Sequence, residues 1–514
     1  MRPRVLEILA SALLAAGVLP ACDGLIGLTS PSLSDADADD ASGMRDAIGD
    51  RPRPDAAADA RADGGIDGRA PAMDASSDAS AEVGAPTLLF PCRGCTVWGI
   101  TDGGQILASQ TSAPEVFTVS TTPMTSGAAC TNCSSTSPVY AMGVSGQTAF
   151  IWTADGALTL WDPTSGDARQ ASSASQAGVA ATYGALAYFV DGQDLVQAPL
   201  ADPSSKTILG SATPVPAGLT TPCPRLQVSP AGLYAATCSP ADGGAPTNVL
   251  VDLWRFDPSG AATAIGSGVS ASWSIDGAGD RIFMITAAGT GQVLDASGSL
   301  LATVDSNVTD GRILPSGQAV VYVALDTLWQ ANVASPMPVV LDSPAAGIWL
   351  TSPTGAYVLY YQRPLALAGG GYVPMSDLHV VETSNAPKPE TVSAADCMPT
   401  TFTSDETRLS WFESTDAGAM TAAFVSTPIP PDVQLLTDSP VSSPQAAGGA
   451  VLVYNVNVGQ VKPDLRVVDT SVLSTDRLIA AGANRQFLVT PDLGSVVYST
   501  DNGLQTGIYE AALR

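Results

Sequence analysis

Three features of the sequence predict an all-β fold. From Thr87 onward, short β-branched and aromatic runs alternate with Ser/Pro/Asp/Gly turns. One unit, a turn followed by an apolar strand, recurs along this stretch. No long segment of 3.6-residue periodicity follows the N-terminal apolar run.

The clearest copies of the unit are Ser229-Pro230-Ala231-Gly232 before residues 233–236 and Ser352-Pro353-Thr354-Gly355 before residues 356–361. Pro315-Ser316-Gly317 and Pro491-Asp492-Leu493-Gly494 introduce similar runs, and weaker copies stand at Asp102-Gly103, Ser145-Gly146, Tyr183-Gly184, Asp276-Gly277, Ser404-Asp405 and Ser443-Pro444. Neighbouring copies lie about 38 to 51 residues apart, about 43 on average, the period of a four-stranded propeller blade. Many are followed by a strand closed by Asp and Gly, as in Leu160-Trp161-Asp162 with Gly166, Phe256-Asp257 with Gly260, and Leu294-Asp295 with Gly298. These repeats resemble those of TolB-like, WD40-like and quinoprotein-like β-propellers. The resemblance covers residues 87–514 and implies a β-propeller of about 7–10 blades, each of four antiparallel strands. An array of β-sandwiches is the alternative. Leu88-Leu89-Phe90 is expected to close the ring beside the C-terminal strand, because an open ring would leave strand edges exposed.

Residues 1–21 read as a secretory signal: basic Met1-Arg2-Pro3-Arg4, an apolar run over 8–18, then Leu19-Pro20-Ala21 before Cys22. The run is shorter than the about 20 residues a spanning helix needs. Its ending resembles the lipobox of bacterial lipoproteins, and the resemblance implies that Cys22 becomes the lipidated first residue of the mature chain. An ordinary cleaved signal with an incidental Cys is the alternative. Acyl chains, palmitate among them, would hold the protein to a membrane, each buried CH₂ contributing about 0.8 kcal/mol. The expected location is therefore the cell envelope, on the periplasmic side or the outer surface.

Residues 22–86 form the next segment. Residues 34–83 carry 12 Asp and 5 Arg and no aromatic residue. Such a composition cannot bury enough surface to offset its ordering entropy, so a disordered acidic linker is expected. Asp35, Asp37, Asp39 and Asp46 fall at calcium-loop offsets, but Asp40 occupies the position that needs Gly. A solvated spacer is the better reading.

Composition removes several functions. The net charge is −27, with 22 Lys+Arg against 49 Asp+Glu. That argues against nucleic acid, whose phosphates require a basic surface. A single histidine, His379, excludes His-pair zinc proteases and His₃ metal sites. None of Lys206, Lys388 and Lys462 follows Gly, so there is no P-loop. No G-x-S-x-G elbow appears. His379 reads as an exposed strand residue, and Asp276-Gly277-Ala278-Gly279-Asp280 as a tight polar turn. No metal or cofactor is expected.

Export makes disulfides the default for the remaining cysteines. Cys223 and Cys238 are placed symmetrically about the 229–232 turn, so a regular hairpin sets them opposite each other. Cys397 occupies the place of Cys223 in its own unit, with Phe412 at the matching position, and lacks a local mate. Cys92-Arg93-Gly94-Cys95 and Cys130-Thr131-Asn132-Cys133 are expected to form two disulfides, with a shared zinc knuckle as the alternative. Thr96 and Ser134 follow the second cysteines, which excludes a haem attachment needing His there.

Residues 364–374 contain Gly369-Gly370-Gly371-Tyr372, a Gly-rich insertion with one aromatic. Gly370 and Tyr372 are candidates for a binding loop on a rigid scaffold. Groups that titrate near neutrality are nearly absent, which favours a non-enzymatic, monomeric binding or scaffold module for an envelope protein, peptide or glycan. The alternative is an extracytoplasmic hydrolase or lyase acting on saccharides through Asp/Glu.

Overall fold

The computed structural model describes residues 85–513, less a number of short segments, the longest being 213–223 and 239–249. Eight separate four-stranded sheets and one eight-stranded sheet make ten blades among the described residues, every strand pairing antiparallel. In chain order, blades 1 to 6 span residues 95–129, 139–172, 180–211, 225–270, 273–305 and 308–342. Blades 7 and 8 share the eight-stranded sheet, residues 347–437. Blade 9 spans 445–480, and blade 10 joins residues 483–512 to the N-terminal strand Thr87–Phe90.

First strands of neighbouring blades pack side by side, as Cys95–Ile100 does with both Val139–Ser145 and Ala483–Val489. They form the inner wall. Burial then changes outward along each blade. Second strands such as Thr148–Thr153, Ala319–Ala324 and Val451–Val456 are buried at every position, because neighbouring blades cover both their faces. The outermost strand of blade 6, Ser335–Asp342, is exposed over its first six residues. Pro336 and Pro338 lie on it, where a missing N–H discourages pairing with another chain.

Alternation along each second strand sends side chains to opposite neighbours. In blade 10, Val496 and Tyr498 pack with Val453, Leu465 and Val467 of blade 9. Val497 joins Leu89 and Ile508 against Val97, Ile106 and Phe117 of blade 1. Every consecutive pair of blades shares such a core, and the succession returns to its start. The chain is thus a closed β-propeller rather than an array of sandwiches. Thr87–Phe90 closes it by pairing with Thr506–Ala512, Thr87 opposite Glu510 and Phe90 opposite Ile508.

Blades 7 and 8 depart from the one-sheet-per-blade rule. The 13-residue strand Glu390–Phe402 begins as the outer strand of blade 7, paired with Val373–Glu382, and ends as the inner strand of blade 8, paired with Leu409–Ser414. Cys397 pairs with Ser376 on one side and Glu413 on the other, so it marks the crossing. Glu413, not Phe412, stands opposite it: the turn here is wider than the 229–232 turn, first pairing Phe402 with Leu409, and the register shift between Pro399 and Thr401 makes up only one residue of that difference.

The recurrent turns join the first and second strands and line one face. Their first residue caps the loop by accepting a backbone N–H five residues on: Ser352 from Tyr357, Thr403 from Arg408, Thr490 from Ser495, and Asp276 from Arg281. The fourth residue is left-handed: Gly279, Gly317 and Gly355 in three blades, but Glu406 and Leu493 in two others. Turns of neighbouring blades also bond to each other, as in Gly277 N–H to Pro315 O, Gly448 N–H to Leu493 O, and Ser404 Oγ to Ala447 O. The Asp-Gly turns between third and fourth strands work similarly. Asp257 and Asp295 each accept backbone N–H groups through Oδ1, and Gly260 and Gly298 take positive φ.

Second-strand tyrosines tie blades together. Tyr322 of blade 6 donates to Asp305 Oδ2 at the end of blade 5 (3.2 Å), and Tyr360 of blade 7 donates to Asp342 Oδ2 at the end of blade 6. Burial, then the neighbouring carboxylate, pushes both phenols far above their ordinary value. Tyr360→Phe should cost about 1.5–3 kcal/mol, the range for a hydrogen bond to a charged group, measured by urea unfolding. Leu493→Gly should stabilise by about 1 kcal/mol, since a left-handed non-glycine residue costs roughly that much. Glu406→Gly should instead destabilise, because it also removes the carboxylate that accepts from Ser352 Oγ and Thr354 Oγ1 of blade 7.

Candidate functional site

The face opposite the belt of short turns carries the second-to-third-strand hairpins and the links from blade to blade. The three longest intervals between strands, residues 212–224, 239–249 and 130–138, start and end on this face. The described half-cystines lie on this face. Cys92 and Cys95 are joined in the link from blade 10 to blade 1, with Cα atoms 6.1 Å apart. Cys130 and Cys133 are joined in the link from blade 1 to blade 2, with Cα atoms 5.4 Å apart. Each pair closes within its own link. Cys238, at the end of a second strand, is disulfide-bonded to a partner outside the described residues. Its hairpin is regular, with Ser229 opposite Gly232 and Arg225 opposite Ala236. Cys22, Cys223, Gly370 and Tyr372 lie outside the described residues, as do Asp35, Asp37, Asp39 and Asp46. The Asp276–Asp280 segment is a turn, with Asp276 Oδ1 accepting from Asp280 N–H at 2.8 Å. Among the described residues no group of three or more His, Cys, Asp or Glu could hold a metal, and no helix is long and apolar enough to cross a membrane.

Two polar side-chain clusters stand out in the body of the ring. The first sits at the seam of blades 7 and 8. His379 is 6% exposed, which corrects its reading as an exposed strand residue. Val373–Glu382 is covered on one side by Tyr357–Tyr361 and on the other by the shared strand, and Tyr360 packs on the imidazole at 5.3 Å. His379 Nε2 lies 3.4 Å from Asp377 Oδ2, and Nδ1 lies 3.3 Å from Thr391 Oγ1. Asp377 accepts backbone N–H groups from Gln362 (2.9 Å) and Arg363 (3.2 Å), the Ser376 hydroxyl (3.1 Å) and Arg363 Nε (3.3 Å). Burial alone would raise its carboxyl, but the Gln362 and Arg363 N–H groups and His379 outweigh it and hold it below the usual range.

Cys397 completes this cluster, fully buried and donating to Ser376 O at 3.1 Å. Burial, followed by Glu413 and Asp377, pushes its thiol far up. A thiol held protonated is a poor nucleophile. Ser393 Oγ and Trp411 Nε1 both donate to Glu413 Oε1 (2.6 and 3.2 Å). The geometry is that of a buried polar core, in which His379 Nε2 approaches Asp377 without making a hydrogen bond.

The second cluster lies on the inner strands of blades 4 to 7. Arg225 opens the inner strand of blade 4, and its guanidinium stacks on Trp273 of blade 5, 4.6 Å from the ring centroid. It donates to Trp273 O at 3.3 Å and to Gln227 Oε1 at 3.2 Å. Arg312 of blade 6 repeats the bracing, donating to Trp349 O of blade 7 at 3.0 Å. Burial first, and then the charge of Arg312, lowers Arg225 to about 10. Asp310, on the same strand as Arg312, accepts from Ser272 Oγ (2.8 Å) and from the N–H groups of Gly311 (2.8 Å) and Ile348 (2.9 Å). Tyr361 packs on Trp349 at 5.0 Å, and burial, with Asp310 adding to it against Arg312, pushes its phenol up to about 12. Sequence reasoning missed this cluster. Its one visible signal was charge inside inner-strand segments, Arg225 beside Leu226 and Asp310 and Arg312 before Ile313.

No protein-family model matches the chain, and no curated protein matches it by sequence. Solved structures match in architecture. The β-propeller domain of the Trilobed protease from Pyrococcus furiosus is 11% identical with a TM-score of 0.31, over 56% of this chain and 93% of that one. The C-terminal WD40 domain of Sif2 is 10% identical with a TM-score of 0.36, over 64% of this chain and 93% of that one. An oligogalacturonate lyase in complex with manganese is 13% identical with a TM-score of 0.32, over 55% of this chain and 93% of that one. At such identities the likeness concerns fold alone. The class is the β-propeller, and function must be argued from this chain's own residues.

Asp377→Asn should test the seam. A lowered carboxyl stabilises the fold fully above its unfolded value near pH 4 and loses that contribution as pH falls through the lower folded value. The stability gap between wild type and variant, measured by urea unfolding, should therefore be widest at neutral pH and shrink below about pH 4.

Proposed function

We propose that this chain is a lipid-anchored, extracytoplasmic β-propeller that acts as a binding or scaffold module for an envelope protein, peptide or glycan. The observation that carries the reading is the asymmetry of the ring. One face is locked by turns bonded to one another, while the strands that bound the longest intervals of the chain end on the other. Binding residues are characteristically carried on loops held by such a scaffold. The reactive groups of the described residues point the same way. The imidazole is buried against Tyr360, the free thiol is held protonated, and Asp377 and Asp310 are occupied by backbone N–H groups.

The anchor rests on the lipobox resemblance around Cys22 and on the composition of residues 34–83, which suits a spacer. Two measurements test the proposal. Metabolic palmitate label should appear on the wild-type chain and vanish in Cys22→Ser; retained label would overturn the anchor. Crosslinking pull-down from envelopes should enrich a defined partner through the long-loop face. Substitutions in the opposite turns, such as Asp492→Ser, should leave that capture unchanged.

A further inference from the structure

We infer that the outer rim of blades 5 and 6 rests on the surface of the bilayer that holds the Cys22 anchor, so that the ring stands on edge beside the membrane. The inference rests on the anchor reading above and goes beyond it, since an anchor alone leaves the orientation of the body open.

The rim exposes an apolar surface. The outermost strands of these blades, Leu300–Asp305 and Ser335–Asp342, pack side by side. Both run outward from the short-turn face, so their apolar stretches lie abreast. Leu300, Leu301, Met337, Val339 and Val340 are exposed on them, Leu300 at 55% and Met337 at 77%. Single exposed apolar residues are ordinary, but a group of this size marks a surface for a partner or a membrane.

The patch is also uncharged. Residues 296–304 and 327–341 contain no Asp, Glu, Lys or Arg, in a chain of net charge −27. Asp295, Asp305, Asp326 and Asp342 mark the ends of these two windows. A neutral window in so acidic a body removes the repulsion that keeps the remaining surface away from lipid phosphates. The backbone of the edge then favours lipid over a protein strand. Pro336 and Pro338 lie among the six exposed positions of Ser335–Asp342 and lack the N–H that an added strand, from a peptide or a second copy, would pair with. A headgroup layer asks for no such ladder, and each missing donor is one group fewer to satisfy at an apolar boundary.

Chain length allows the contact. The N-terminal arm joins the body at Thr87–Phe90 in blade 10, across the ring from blades 5 and 6. Residues 23–84, between Cys22 and the described body, can extend to about 200 Å at about 3.3 Å each, against a radius of gyration of about 22 Å for a compact body of this length. The anchor therefore permits the far rim to reach the bilayer, and by holding the body nearby it raises the local concentration of the rim at the lipid surface, so a shallow contact suffices. The long-loop face is left open to the side for the partner proposed above.

The test reconstitutes the full lipid-anchored chain in vesicles of phosphatidylethanolamine and phosphatidylcholine that contain a phosphatidylcholine with a photoreactive diazirine on its acyl chain. After illumination, lipid adducts should concentrate on peptides covering residues 296–304 and 333–342. The double variant Leu301→Ser/Met337→Ser should lower that labelling about threefold or more, because apolar contact area is lost. Ile208→Ser, which changes a comparably exposed residue on the outer strand of blade 3, should leave it unchanged. All of these side chains are exposed, so circular dichroism should match wild type in each variant. Adducts spread evenly over the body, adducts centred on another blade, or labelling indifferent to the double variant would overturn the inference. Rim-to-rim crosslinks between copies would overturn it too, by giving the patch to a second chain. Vesicle flotation reads the anchor separately. Flotation that depends on Cys22, without rim adducts, ends this inference and leaves the anchor standing; a wild-type chain that neither floats nor takes palmitate ends the anchor reading and this inference with it.

Discussion

Every blade depends on its neighbours for burial. A four-stranded antiparallel sheet with an all-apolar second strand has two faces to cover, and Thr148–Thr153 or Val451–Val456 cannot cover both from within one blade. Each large side chain that goes under cover contributes about 1.5–3 kcal/mol. Only a closed succession covers all of them. Ring closure through Thr87–Phe90 is therefore a condition for the burial of Val497 and Ile508 on one side and Val97 and Ile106 on the other. The polar devices are arranged around this requirement. The turn-to-turn hydrogen bonds, the tyrosine–aspartate ties and the arginine braces all run from one blade to the next and fix the angle at which the cores meet.

The two faces follow from the same geometry. Antiparallel strands starting at the inner wall return their first turn to one face and their blade-to-blade link to the other. Tight turns with a left-handed fourth residue leave little room for insertion, so the first face became a regular belt. Links between blades have no such constraint, and there the chain accommodates long connections and disulfides. Sulfur at Cys92–Cys95 and Cys130–Cys133 shortens two of these links next to the seam where the ring closes.

Much of the architecture was legible because it lies in short-range signals. Turn spacing gave the repeat, and Ser352-Pro353-Thr354-Gly355 or Asp295 with Gly298 specify backbone conformation locally. Leu88-Leu89-Phe90 could be matched to the C-terminus because a propeller demands closure. The shared strand could not be seen. Asp396 and Pro399 flank its crossing point at Cys397, yet the chain runs on as one extended strand, so turn residues there do not mark where blade 7 ends. His379 was misread because its burial is imposed by strands before and after it in sequence. The arginine braces were hidden because each joins residues of different blades, Arg225 with Trp273 and Arg312 with Trp349, that only the stacking of inner strands brings together.

The closing strand has one more consequence. Thr87–Phe90 is the outermost strand of its blade and also the point where residues 1–84 join the body. A pull on the N-terminal arm is thus received first by a four-residue pairing already interrupted between Leu88 and Phe90. Mechanically the ring has its latch and its tow-point in the same place, so tension would unfasten blade 10 before it strained any other seam.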